Sequence, residues 1–294
     1  MQIERKAKST LTVVEMNPGD ELLFVTCDGV RHQILLEQTC ASRLSDIYAP
    51  SGIVPTAAKG AYRFWCALKV DGAEMQLNRY VGTPDSFYEP WVCNGLRIWF
   101  DAVDEIFQIM KETHGPCRPR KRARFAVQDA QARICPTLLH PWCPLPPGGL
   151  RITDCYRGED CWMGPYDGDS AHGGLDINHP AGTPLWTPIS FDEHRLVDSR
   201  ARGDGNNRWE GIHQWDDGAT WTLKTSHVVR LLVPEGGPLP AGLHYADGGG
   251  VAVCFREHSH FKFEVHEYGE THTIDPWILF WQMYRDREIT TARP

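Results

Sequence analysis

The chain is short of several things, and each shortage removes a class of protein. No apolar run comes near the ~20 residues that a membrane-spanning helix requires, so no membrane span is expected. Met1 to Thr10 is charged and is followed only by the brief apolar stretch Leu11 to Val14, so no signal-peptide core is visible. Positive charge is in deficit: 30 Lys and Arg against 38 Asp and Glu leave a net charge of −8. That argues against a general nucleic-acid binder, whose affinity rests on neutralising phosphates. The ten cysteines include no Cys-x-x-Cys, which disfavours a cysteine zinc site. Cys155 and Cys161 are the readiest to bridge, across the turn-rich Tyr156 to Asp160; small buried thiols are the alternative. Before Trp277 no long segment repeats its apolar residues every 3.6 positions, so helix is scarce.

What is present fits a globular protein. The 294 residues are 41% hydrophobic and 23% charged and leave room for two domains. The eleven Trp suit either a large core or a groove for an extended peptide or sugar. Residues 1–112 read as a β-rich N-terminal domain of unassigned role. Glu21–Val25, Arg31–Leu36, Tyr62–Leu68 and Leu96–Phe100 are β-prone, with turn signals at Pro18-Gly19-Asp20 and Asn94-Gly95. Residues 113–150 are basic and Pro-rich and read as a linker. Residues 151–294 read as a second β-rich domain, with strands at Trp221–Thr225, Val228–Val233, Val251–Phe255 and Phe261–Val265 and a short C-terminal helix at Trp277–Tyr284.

Two segments of the second domain carry chemistry. His172 and Asp176 are four apart, but Gly173-Gly174 between them and Pro180 after them disfavour a helix. A loop running into a strand is expected, with glycines that let backbone approach a ligand closely. His258 and His260 are two apart beside a β-prone run, so on a strand both imidazoles share one face while Phe261 and Phe263 pack on the other. Glu264 continues the histidine face and is a candidate to hold a ligand's tautomer from behind. His227 lies between two β-prone runs; alone, such a residue is more often structural. His179, His194, His213, His244, His266 and His272 receive no assignment. Imidazoles and a carboxylate, with one further imidazole to spare, are what a zinc hydrolase needs: three protein ligands, an open position, and a base beside it.

These residues resemble the metal motifs of the M23 metallopeptidases, the lysostaphin-like and LytM-like peptidoglycan endopeptidases. His172-Gly-Gly-Leu-Asp176 followed by Pro180-Ala181-Gly182-Thr183-Pro184 is similar to the family's His-x-x-x-Asp and Pro-x-Gly-Thr-Pro turn. His258-Ser-His260-Phe-Lys-Phe-Glu264 is similar to its His-x-His segment, with Ser259 where Leu is usual. Ser226-His227-Val228 resembles its intermediate His. The resemblance spans roughly 150–280. It implies one Zn²⁺ held by His172, Asp176 and His260, with His227 and His258 as the catalytic pair. It implies metal-activated hydrolysis of peptide bonds in peptidoglycan, an extracytoplasmic location, and an antiparallel β-sheet with a groove over it. Phe191 to Thr220 is an insertion where the family has a short hairpin. A non-catalytic LytM-like binding or regulatory module, and a metallopeptidase acting on a non-wall peptide, are the competing readings.

Overall fold

The computed structural model describes residues 1–47, 59–106, 117–132, 139–155, 165–166, 170–197, 207–251 and 256–291. Two compact units divide the chain: Met1–Ile134 with Met163–His172, and Cys135–Trp162 with Gly173–Pro294. Both are built mainly from β-strands.

In the first unit the strands are β1 (Gln2–Lys6), β2 (Thr12–Met16), β3 (Glu21–Val25), β4 (Arg31–Ile47), β5 (Lys59–Val70), β6 (Ala73–Val81), β7 (Trp91–Cys93), β8 (Leu96–Val103) and β9 (Ala123–Asp129). They form a sheet in the order β1-β3-β4-β5-β6 and another in the order β2-β9-β8-β7. Alternation sets the core: Leu22, Phe24, Ile34, Leu36, Phe64, Cys66 and Leu68 are buried, with their strand neighbours turned outward or half-buried.

The linker expected over 113–150 does not hold across its described part. Residues 123–129 are a fully buried strand that pairs with both β2 and β8. The basic composition misleads because these charges are engaged. The Arg124 guanidinium, fully buried, meets Asp101 at 2.5 Å, Arg118 meets Asp104 at 2.7 Å, and Lys121 meets Asp20 at 2.8 Å. Farther on, Trp142 is fully buried rather than solvated, its ring 4.9 Å from that of Phe261.

The short hairpin of β10 (Pro165–Tyr166) and β11 (Ser170–Ala171) precedes the second unit's main strands. These are β12 (Leu175–Asn178), β13 (Thr183–Trp186), β14 (Glu193–Val197), β15 (Asn207–Gln214), β16 (Thr220–Val228), β17 (Arg230–Leu231), β18 (His244–Gly248), β19 (His258–Glu267) and β20 (Glu270–Ile274). The main sheet is antiparallel and runs β12-β19-β16-β15-β14, with β20 also on β19; β13-β18-β17 form a smaller sheet. The 191–220 insertion therefore supplies β14 and β15, two strands that widen the main sheet. Residues 198–206 of it, 252–255 of the expected Val251–Phe255 strand, and Cys161 of the expected cysteine pair lie outside the described residues. Cys155 itself is buried.

Strand β19 organises this unit. Its odd positions Phe261, Phe263 and Val265 are buried, and its even positions His260, Lys262 and Glu264 are half-buried on the other face. Under the odd face lies α1 (Trp277–Thr291), seven residues longer than the sequence suggests. The Phe280 ring sits 5.2 Å from Phe261 and 5.9 Å from Trp142. Burying a side chain such as Phe261 contributes about 1.5–3 kcal/mol. The helix starts where it does because Asp275 accepts the amide of Trp277 at 2.9 Å and Pro276, immediately before the helix, has no amide hydrogen to satisfy. The helix thus seals one face of β19, and the histidine face stays available.

Candidate metal centre

His172 is followed by Gly173, at φ 74°, and Gly174, after which the chain enters β12 at Leu175. This is the loop-into-strand arrangement that the glycines suggest. Asp176 pairs in register with His260 across β12 and β19, so both side chains share one face. Ligand atoms of His172, Asp176 and His260 lie within 4.8 Å of one another.

Asp176 is 1% exposed. Its Oδ1 is 2.7 Å from Nδ1 of His260 and its Oδ2 3.4 Å from Nε2 of His258. A buried carboxylate needs partners, and here it faces two imidazoles. Two imidazoles and a carboxylate are a donor set suited to Zn²⁺. The backbone makes room for it: a Cβ on Gly174 would stand 2.3 Å from Cε1 and 2.4 Å from Nε2 of His260. Glycine is required there by the approach of the imidazole itself. The residues present fit the ion.

His258 is 1% exposed, and its Nδ1 lies 2.9 Å from the carbonyl oxygen of Arg256. A carbonyl only accepts, so Nδ1 carries the hydrogen and Nε2, on the Asp176 side, holds the lone pair of the neutral ring. The partner that orients this ring is thus a backbone carbonyl. Glu264, expected to serve behind the ligands, instead pairs with Lys224 Nζ at 2.8 Å, four residues along the strand.

His227 arrives by an irregularity. Ser226 pairs with His260, and in a regular strand residue 227 would face away from it. His227 has φ 62°, in the left-handed region. Nearby, the β15–β16 register shifts between Asn207 and Trp209. The His227 ring lies 4.3 Å from that of His258, and the residue is buried. Its carbonyl accepts the amide of Gly250 at 2.9 Å, which ties the turn to the site.

Three contributors escape sequence reasoning. Ser259 points to the core side, where its hydroxyl accepts the Gly249 amide at 3.1 Å and holds the Gly248-Gly249 turn. Gly249, at φ 82°, would put a Cβ 2.3 Å from the Pro180 carbonyl oxygen. That carbonyl also accepts the Thr183 amide and hydroxyl, at 3.1 and 2.7 Å, closing the Pro180–Thr183 turn. His179 is buried beside Phe261, its ring 6.2 Å away. Burial, with a smaller contribution from His258, pushes its pKa down to about 4. The other five unassigned histidines make contacts elsewhere: His194 with Trp209, His213 with Asp192, His244 with Asp247, His266 with Thr271 and His272 with Glu270.

No family model and no curated protein matches the chain. Among solved structures it is similar to the antimicrobial peptidase lysostaphin from Staphylococcus simulans, with 19% identity, 49% of this chain and 49% of that chain covered, and a TM-score of 0.31. It is similar to LytU, with 23% identity, 40% and 80% covered, and a TM-score of 0.33. A zinc containing peptidase from Vibrio cholerae matches with 10% identity, 90% and 84% covered, and a TM-score of 0.34. M23 peptidases are among the matching structures. The chain spans less than half the length of two of the lysostaphin chains it matches, 44% and 49%.

Proposed function

We propose that the chain is a zinc-dependent endopeptidase that hydrolyses peptide bonds, with peptidoglycan cross-links as its substrate and an extracytoplasmic location. The observation that supports this most is the convergence of His172, Asp176 and His260 with His258 and His227 beside them. The choice of substrate and location rests on the resemblance of the motifs to the M23 metallopeptidases. Among the described residues no helix is long and apolar enough to cross a membrane.

His172, Asp176 and His260 hold the ion in this reading. Zn²⁺ would supply Lewis acidity toward a carbonyl oxygen and would lower the pKa of water to near neutrality. The chain's residues do the rest. His258 takes a proton at Nε2 from the water that attacks the scissile carbonyl, because its Nδ1 hydrogen is committed to Arg256. The resulting imidazolium is stabilised by Asp176 Oδ2, and Nε2 returns the proton to the leaving amine. His227, held against His258, donates a hydrogen bond to the oxyanion that develops on the scissile carbonyl, a role worth roughly 3–4 kcal/mol. The neighbouring glycines leave space for substrate backbone.

The test is release of new amino groups from purified peptidoglycan, with and without a zinc chelator, beside His260→Ala. Chelator-sensitive release that is absent in the variant supports the proposal, and the new termini identify the bond. A protein that binds one zinc but releases nothing points to another peptide substrate. A protein that binds neither zinc nor releases amines is a binding module.

A further inference from the structure

The face of β19 that carries His260 continues into a row of charged side chains. Lys262 and Glu264 follow on β19, Lys224 on β16, Glu210 and Arg208 on β15, and Arg195 on β14. Both carboxylates of the row are engaged. Glu210, 2% exposed, is met by Arg195 at 2.5 Å, Arg208 at 3.0 Å and Lys224 at 3.8 Å, and Glu264 is met by Lys224 at 2.8 Å. Lys262 stands apart: no ion pair reaches its ammonium among the described residues.

Its position is also locally unfavourable. Lys262 and Lys224 are direct cross-strand partners, and like charges placed opposite each other destabilise a sheet. Lys224 is paired with two glutamates; Lys262 lies half-buried, two residues from His260 on the same face. Two strand positions span about 6.6–6.8 Å. A substrate lying along this face with its reacting carbonyl at the metal centre would bring a group one or two residues away over the Lys262 ammonium. A carboxylate is the group that would complete this row, giving Lys262 the partner that Glu210 and Glu264 already give Lys224.

We infer that Lys262 is a specificity residue of the metal centre, binding a free carboxylate of a peptide substrate within about two residues of the bond cleaved. The inference rests on the endopeptidase reading, and it narrows the substrate to acidic peptides.

The experiment uses the full chain, with Lys262→Gln and Lys262→Glu, and two probes: purified peptidoglycan, and the same material with its carboxylates converted to amides by carbodiimide and ammonia. Amino-group release and co-sedimentation in the presence of chelator are measured for each pair, with zinc content as a control. The parent should favour the untreated polymer. Lys262→Gln should lose about tenfold in kcat/KM on that polymer, through KM, and nothing on the amidated one; Lys262→Glu should prefer the amidated polymer. Co-sedimentation should follow the same pattern. Equal losses on both probes, or an unchanged preference in Lys262→Gln, would overturn the inference and leave Lys262 as a solvated side chain covering the sheet. Charge-dependent sedimentation lost in Lys262→Gln, without amine release from the parent, would refute peptidoglycan as the substrate that is cleaved and leave the carboxylate site standing.

Discussion

The His227 ring reaches within 4.3 Å of the His258 ring because its own backbone is left-handed, at φ 62°. For a residue with a Cβ that conformation costs about 1–2 kcal/mol, least for side chains that bond locally. The strain sits beside the proposed metal ligands, where such outliers tend to collect.

Replacing His227 separates backbone from imidazole. His227→Asn, which tolerates the left-handed region, should fold with unchanged stability and bind zinc, yet lower kcat by about 10²–10³. His227→Val, β-branched, should in addition lose a further 1–2 kcal/mol, roughly, in denaturant unfolding. Loss of zinc from the Asn variant, measured by metal analysis, would assign His227 to the ligands instead.

Gly174 is a packing requirement of His260. In Gly174→Ala the new Cβ meets the imidazole at 2.3–2.4 Å, so the ring has to leave its position. We expect zinc stoichiometry to fall well below one per chain while far-ultraviolet circular dichroism stays native. Full zinc occupancy in this variant would show that His260 is not held where the ligands converge.

Ser259 serves the turn rather than the metal. Ser259→Ala leaves the Gly249 amide without its acceptor in a buried place, at a cost of about 1–3 kcal/mol. Thermal denaturation should shift down by roughly 2–4 °C per kcal/mol. Zinc binding should be retained once the variant is folded.

His179 makes the fold sensitive to acid. Its folded pKa of about 4 lies below the ordinary imidazole value of 6.5, so as pH falls the unfolded chain takes up this proton first. The stability contributed by neutral His179 is whole above ~6.5 and is lost progressively down to about 4. The full loss is on the order of 3 kcal/mol. His179→Leu should flatten this part of the profile, measured by urea unfolding at about pH 7.5 and about pH 5. An unchanged difference between the two would place the acid sensitivity in other groups.

The legible parts of this protein are those where one physical signal dominates. The bounds of β3, Glu21–Val25, follow from alternation between two turns. The opposed faces of β19 follow from His-x-His beside Phe-x-Phe, and the strand entry at Leu175 follows from paired glycines. What escapes depends on partners far away in sequence. Strand β9 is hidden because Arg124 reads as solvated until Asp101 is placed beside it. The left-handed turn at His227 has no glycine to announce it. Ser259 and Glu264 both belong to the motif segment, yet their partners, Gly249 and Lys224, can be known only from the pairing of turns and strands.

The two short strands on one side of β19 divide it between them. Strand β12 bonds residues 258–261, and β20 bonds residues 263–267 and leads directly into the capped helix α1. The half that carries His258 and His260 can therefore loosen while the half that anchors the helix stays closed. Amide hydrogen exchange would see this as two separate opening reactions. Protection of the β12 amides should rise steeply when zinc binds, whereas the β20 amides keep the same slow exchange with or without the ion.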